Sequence, residues 1–244
     1  SVDAAKALEN VYCEHHKALD SNWNEEWECA NENYQIFSRY PEEGGAAVSH
    51  FRRIELNYDF LMLILSPKYP DPNEEDYKPV VMHEYFHIYQ HAHIQDECSS
   101  DSQATCSRDS KMGGKGKPWF AEGSAEFMGQ SLYAKQPGVR EGYLKEVMER
   151  KLESLADYKA QDTRLEELTY GDSVNVYDIG SWFIAYLIHK EGEQTFLVDF
   201  FTDLDELGFE ASLEAHFGKT GEAYVDEFDV FMDQPQEQLL AIIP

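Results

Sequence analysis

Residues 80–93 read VVMHEYFHIYQHAH, four histidines in fourteen residues of an otherwise apolar and aromatic run. Nothing between Pro79 and Ile94 breaks a helix, so the stretch predicts one over about 79–94. Within it, HEYFH (83–87) is an H-E-x-x-H match. On a helix, positions i and i+4 lie on one face, so the His83 and His87 imidazoles can both reach one zinc ion at about 2.0–2.1 Å. Glu84 points about 100° further round the axis, beside the metal and not onto it. That is the place of a general base. The flanking Val80, Val81, Met82, Phe86 and Ile88 suit a buried helix.

The third ligand must come from elsewhere. His93 stands six residues past His87, where H-E-x-x-H-x-x-G-x-x-H would put a ligand, but Gln90 occupies the glycine position. An unbroken helix turns residue 93 by about 240° net, away from the metal. His91 keeps the right face but lies a further turn along, about 6 Å of rise beyond His87, and suits the helix end. The segment PWFAEGSAEF (118–127) is the better source. Pro118 fits the first turn of a helix to about 134. Glu122 and Glu126 share one face, among Trp119, Phe120, Ala121, Ala125 and Phe127. Glu122 would complete a His-His-Glu set with a fourth position for water, and Glu126 would hold the far nitrogen of a ligand histidine. Gly123 and Ser124 are small enough to let the two helices come close.

These stretches resemble the gluzincin superfamily of zinc metallopeptidases. HEYFH and WFAEGSAEF are similar to the equivalent segments of bacterial collagenases, and Glu122 is the first Glu of the E-G-x-A-E pattern that supplies the third ligand there. VYDIGSWFIAYLIHKEGEQTFLVDFF (176–201) resembles the leukotriene hydrolase and aminopeptidase branch at Tyr177, Gly180, Gly192 and Phe196. The resemblance implies that Tyr177 donates its hydroxyl to the oxyanion of a tetrahedral intermediate. The amine-binding glutamate of that branch has no counterpart in GGAAVSH (44–50), which points to an endopeptidase over an aminopeptidase. The implied fold is α+β, a thermolysin-like two-lobed zincin. A small N-terminal sheet with helices (1–112) would carry the histidine helix, and a mainly helical C-terminal lobe (113–244) would complete one catalytic unit. A non-catalytic zinc-bearing binding protein is the reading from another class.

The rest of the chain fits a globular enzyme. Its 42% hydrophobic and 14% aromatic content can build a core. With 20 basic against 47 acidic residues, the net charge of -27 would repel nucleic acid and anionic membrane. No apolar run reaches the roughly 18 residues of a membrane span. The opening SVDAAKALEN shows no signal-peptide pattern, as expected equally of a mature processed chain and of one trimmed at its start. Pairing Cys13 with Cys29 and Cys98 with Cys106 is the local solution among three connectivities. Closing 13 to 29 would be worth about 3 kcal/mol. Two disulfides place the protein in an oxidising compartment, secreted or periplasmic.

Helical spacing also predicts helices over 2–19 and 25–38, and near 140–158, 177–191, 193–203, 209–217 and 221–232. RIELNYDFLMLILS (53–66) reads as the main strand region, its stretch near 57–65 offering an edge for an extended peptide. PKYPDPNEEDYKP (67–79) is a loop with four prolines, and 95–118 is a long polar loop.

Overall fold

A computed structural model describes residues 2–19, 46–50, 61–65, 77–94, 112–113 and 117–244. The expected helix at 25–38, the strand segment 53–60 and most of the loops 67–79 and 95–118 lie outside the described residues. So do Cys29, Cys98 and Cys106, and with them the expected pairings. Cys13 is buried in the first helix.

In chain order, α1 (Val2–Leu19) is followed by β1 (Ala46–His50) and β2 (Leu61–Leu65), then α2 (Tyr77–Ala92), the histidine helix. Next come α3 (Trp119–Ala134), the glutamate helix, α4 (Tyr143–Lys151) and α5 (Leu155–Ala160). After these come α6 (Val176–Glu191), the tyrosine helix, a π-helical turn (Thr195–Phe200), and α7 (Phe201–Leu207). The chain closes with α8 (Phe209–Phe217), α9 (Gly221–Met232) and α10 (Gln236–Leu239). The spans at 209–217 and 221–232 agree with the periodicity. The helix expected near 140–158 is interrupted by a 3-10 turn at Leu152–Ser154, and the one at 193–203 opens as a π turn.

The fold class requires correction. Among the described residues, strand is confined to β1 and β2, one antiparallel pair in which Ala46 faces Leu65 and Val48 faces Leu63. The rest is mainly helical, which overturns an α+β fold of two lobes built on an N-terminal sheet. The reason is physical: the aromatic and aliphatic residues that could feed a sheet face are spent on helix faces instead. AAVSH contains one residue of high strand propensity, Val48, and it pairs antiparallel with LMLIL. The pair packs on the histidine helix.

The glutamate helix is the centre of the architecture, packed against the histidine helix on one side and the tyrosine helix on the other. Trp119, Phe120, Trp182, Phe183, Phe196, Phe200 and Phe201 are buried around it. Each such ring contributes about 1.5–3 kcal/mol by leaving water. The Trp182 indole donates to the Met148 carbonyl at 3.0 Å, so its polar edge is satisfied as well.

Glycines set the helix spacing. A Cβ on Gly123 would lie 2.4 Å from the Gly180 carbonyl carbon, and one on Gly180 would lie 2.5 Å from the Trp119 carbonyl oxygen. A Cβ on Gly129 would come within 2.9 Å of the His83 backbone nitrogen. Both interfaces of the glutamate helix are therefore backbone against backbone. The tyrosine helix starts at Asn175, whose side chain accepts from the Tyr177 amide at 3.0 Å, and ends at Gly192, whose φ of +96° suits a residue without Cβ.

Candidate metal centre

The site lies where the histidine and glutamate helices face each other. His83 and His87 point from adjacent turns of α2, their ring centroids 4.7 Å apart and nearly perpendicular. Both are buried, as are Glu84 and Glu122. Glu122 Oε2 stands 3.3 Å from His83 Nε2 and 3.0 Å from His87 Nε2. Ligands at about 2.0–2.1 Å from one tetrahedral ion are about 3.3–3.4 Å apart along each edge. These two separations therefore approach the spacing of three donors around one zinc ion. His83, Glu84 and His87 also form a group whose donor atoms lie within 4.8 Å of one another. Glu122 is the better third donor because its oxygen is already within 3.3 Å of both nitrogens.

The far nitrogens are held too. Glu126 Oε2 lies 3.0 Å from His83 Nδ1. Gln90 Oε1 lies 2.7 Å from His87 Nδ1, and the Gln90 amide donates to the Ala121 carbonyl at 2.9 Å and to Ser124 Oγ at 2.7 Å. Acceptors on both Nδ1 atoms favour a proton there, which would leave each Nε2 lone pair for a metal ion, as ligand histidines require; without an ion, a proton on Nε2 makes the contact with Glu122. Gln90 thus ties the histidine helix to the glutamate helix at the ring of His87.

The electrostatics ask for a cation. Burial pushes the His83 imidazole down, but hydrogen bonds and charge from Glu122 and Glu126 outweigh it and raise the group to about 9. A proton on His83 and a divalent ion between these groups answer the same need, neutralising buried carboxylates. Glu126 would be pushed up by burial, yet His83 and Lys151 hold it far below the usual carboxylate range. This donor set of two imidazoles and one carboxylate fits zinc.

Glu122 keeps one more contact. The Tyr170 hydroxyl donates to its Oε1 at 2.7 Å, leaving Oε2 toward the histidines. Tyr177, in the first turn of α6, is half-buried, with its ring centroid 6.1 Å from that of His83 and 6.2 Å from that of Tyr170. Both tyrosines line a cavity of about 290 Å³ with Thr169, Asp172, Ser173 and Asn175.

His83, Glu84, His87, Glu122, Glu126 and Tyr177 are thus brought to one place. His93 is turned aside, its Nδ1 2.9 Å from the Tyr89 carbonyl and its ring against Tyr89 and Phe201. His91 is buried in the same helix. Of the expected peptide edge, 61–65 form β2 and are paired with β1, while 57–60 lie outside the described residues. The sequence reading missed Gln90, Tyr170, Lys151 and Asp178. Gln90 carries a signal, three residues after His87, whereas Tyr170 joins Glu122 across 48 residues and carries none. No described helix is long and apolar enough to cross a membrane. No protein-family model matches the chain, and neither a curated protein nor a solved structure matches it.

Proposed function

We propose that the protein is a zinc-dependent peptidase of the gluzincin kind that hydrolyses peptide bonds, most simply within a chain. The observation that carries this reading is the convergence of His83 Nε2, His87 Nε2 and Glu122 Oε2 within 3.0–3.3 Å across two helices, beside a buried Glu84. His83, His87 and Glu122 would hold the ion. When bound, zinc would supply Lewis-acid activation of a water and polarisation of the scissile carbonyl.

The chain's own residues do the rest. Glu84 accepts the proton of the attacking water and delivers it to the departing amine, a role worth about 10²–10⁴ in rate. Tyr177 offers its hydroxyl to the oxygen that becomes negative as the carbonyl carbon turns tetrahedral. Glu126 and Gln90 fix the two rings, and Tyr170 fixes the carboxylate of Glu122. The cavity lined by Tyr170 and Tyr177 would give a peptide side chain room beside the residue that offers the oxyanion hydroxyl. An oxidising compartment, secreted or periplasmic, belongs to the same proposal and rests on the cysteines.

Glu84→Gln tests it. The variant should retain one zinc per chain and lose cleavage of a mixed peptide library by about 10²-fold or more. Unchanged cleavage would exclude Glu84 as the base. A parent chain that binds zinc but cleaves no peptide would favour a zinc-bearing binding protein.

A further inference from the structure

Behind the histidines a line of charge continues past Glu126 into Lys151 and Asp178, which the proposed mechanism does not use. Glu126 accepts contact from His83 through Oε2, and its Oε1 lies 2.8 Å from Lys151 Nζ. Lys151 Nζ also lies 2.9 Å from Asp178 Oδ1, while Asp178 Oδ2 accepts from the Ser154 hydroxyl at 2.6 Å. The side chains are largely sequestered, 12% exposed for Lys151 and 16% for Glu126 and for Asp178. The line crosses four helices. His83 is on α2, Glu126 on α3, Lys151 is the last residue of α4, and Asp178 is in the first turn of α6. Each end charge complements its helix dipole, a cation at a C-terminus and an anion at an N-terminus.

Stability alone does not account for a lysine here. Burying an ammonium and two carboxylates is costly, and apolar replacements of buried ion pairs are often neutral or stabilising. What the lysine does provide is position. It clamps the carboxylate that orients His83 to the helix turn that carries Tyr177, the residue next to Asp178. We infer that Lys151 is a positioning residue that sets His83 through Glu126 and Tyr177 through Asp178, so that one buried cation aligns the metal-holding ring and the oxyanion donor. The inference rests on the metallopeptidase reading and deepens it.

The test uses the full chain, with zinc affinity measured by competition with a chromogenic chelator and kcat and KM measured at saturating zinc. Lys151→Met should weaken zinc binding about 10–100-fold, the usual effect of losing a group behind a ligand histidine, and should lower kcat with KM little changed. Asp178→Asn, which leaves the Lys151–Glu126 contact in place, should lower kcat while zinc affinity stays near the parent value. Visible spectra of the cobalt-substituted protein should change in Lys151→Met and not in Asp178→Asn. Zinc affinity and kcat within threefold of the parent in Lys151→Met would overturn the inference, as would equal loss of zinc affinity in the two variants. Should Lys151→Met fail to fold, Lys151→Arg reads the same quantities. It keeps the charge but moves the donors, so a drop in both supports the inference and parental values overturn it. A parent protein that neither binds zinc nor cleaves peptides fails at the metallopeptidase reading itself, before any variant is compared.

Discussion

Gly123→Ala is the sharpest perturbation of this architecture. Helix propensity alone favours alanine by about 1 kcal/mol in a helix interior. Packing opposes it. The new Cβ would stand 2.4 Å from the Gly180 carbonyl carbon, 2.6 Å from its oxygen and 2.7 Å from its Cα, against ordinary contact from 3.4 Å. All three are backbone atoms, so no side-chain rotation relieves the clash, and the two helices must separate by about 1 Å. Overpacking of this kind costs about 1–3 kcal/mol, and a rigid backbone neighbour places it at the upper end. The net expectation is about 2 kcal/mol of destabilisation, or a fall in Tm of about 4–8 °C for a chain of this size. Glu122 is the adjacent residue, and zinc sites tolerate ligand displacements of only about 0.2 Å. Zinc affinity should therefore fall as well. Differential scanning calorimetry and a zinc competition titration measure the two effects. Gly171→Ala is the control, because the nearest heavy atom to its Cβ is 3.8 Å away. A Gly123→Ala protein with parental or higher Tm and parental zinc affinity would refute the claim that this glycine contact positions the site.

Three further outcomes are expected. Gln90→Leu removes the acceptor on His87 Nδ1 and two bonds to the glutamate helix, so zinc affinity measured by titration should drop about 10–100-fold. Tyr177→Phe should lower kcat by about 10²–10³ with KM nearly constant, as for loss of one oxyanion donor; an equal rise in KM at constant kcat would assign the hydroxyl to substrate binding. The third concerns pH. In the folded, metal-free protein His83 is raised from 6.5 to about 9. Its contribution is complete below 6.5 and is lost as pH rises through about 9, on the order of 3 kcal/mol at 1.36 kcal/mol per unit. Urea unfolding of the chelated protein should show this loss between pH 6.5 and 9.5, and the zinc-loaded protein should not. A flat profile after chelation would remove the argument that Glu122 and Glu126 demand a cation at His83.

Legibility from sequence followed the range of the interaction. His83, Glu84 and His87 share one helix, so a spacing of four residues fixes their relative directions before any tertiary contact exists. Glu122 and Glu126 are related by the same spacing on a second helix. The break at Gly192 is local too, and so are the side-chain caps at Asn175 and Thr220, although the sequence reading did not single out either cap. Strand content was harder to judge. LMLIL (61–65) reads as a strand from its own residues, but AAVSH (46–50) does so only through its partner, and nothing local revealed how far helix would dominate.

The sequence by itself determined that two imidazoles and a flanking carboxylate would project from one helix, and that a pair of carboxylates would project from another. Only the tertiary structure decided that Glu122 meets both Nε2 atoms, that Glu126 takes His83 while Gln90 takes His87, and that Tyr170, Lys151 and Asp178 stand behind them. Helical periodicity sets angles within an element. The distance between elements is set by what lies at their crossing, and here that is Gly129 against His83 and Gly123 against Gly180, contacts between residues 46 to 57 positions apart in the sequence.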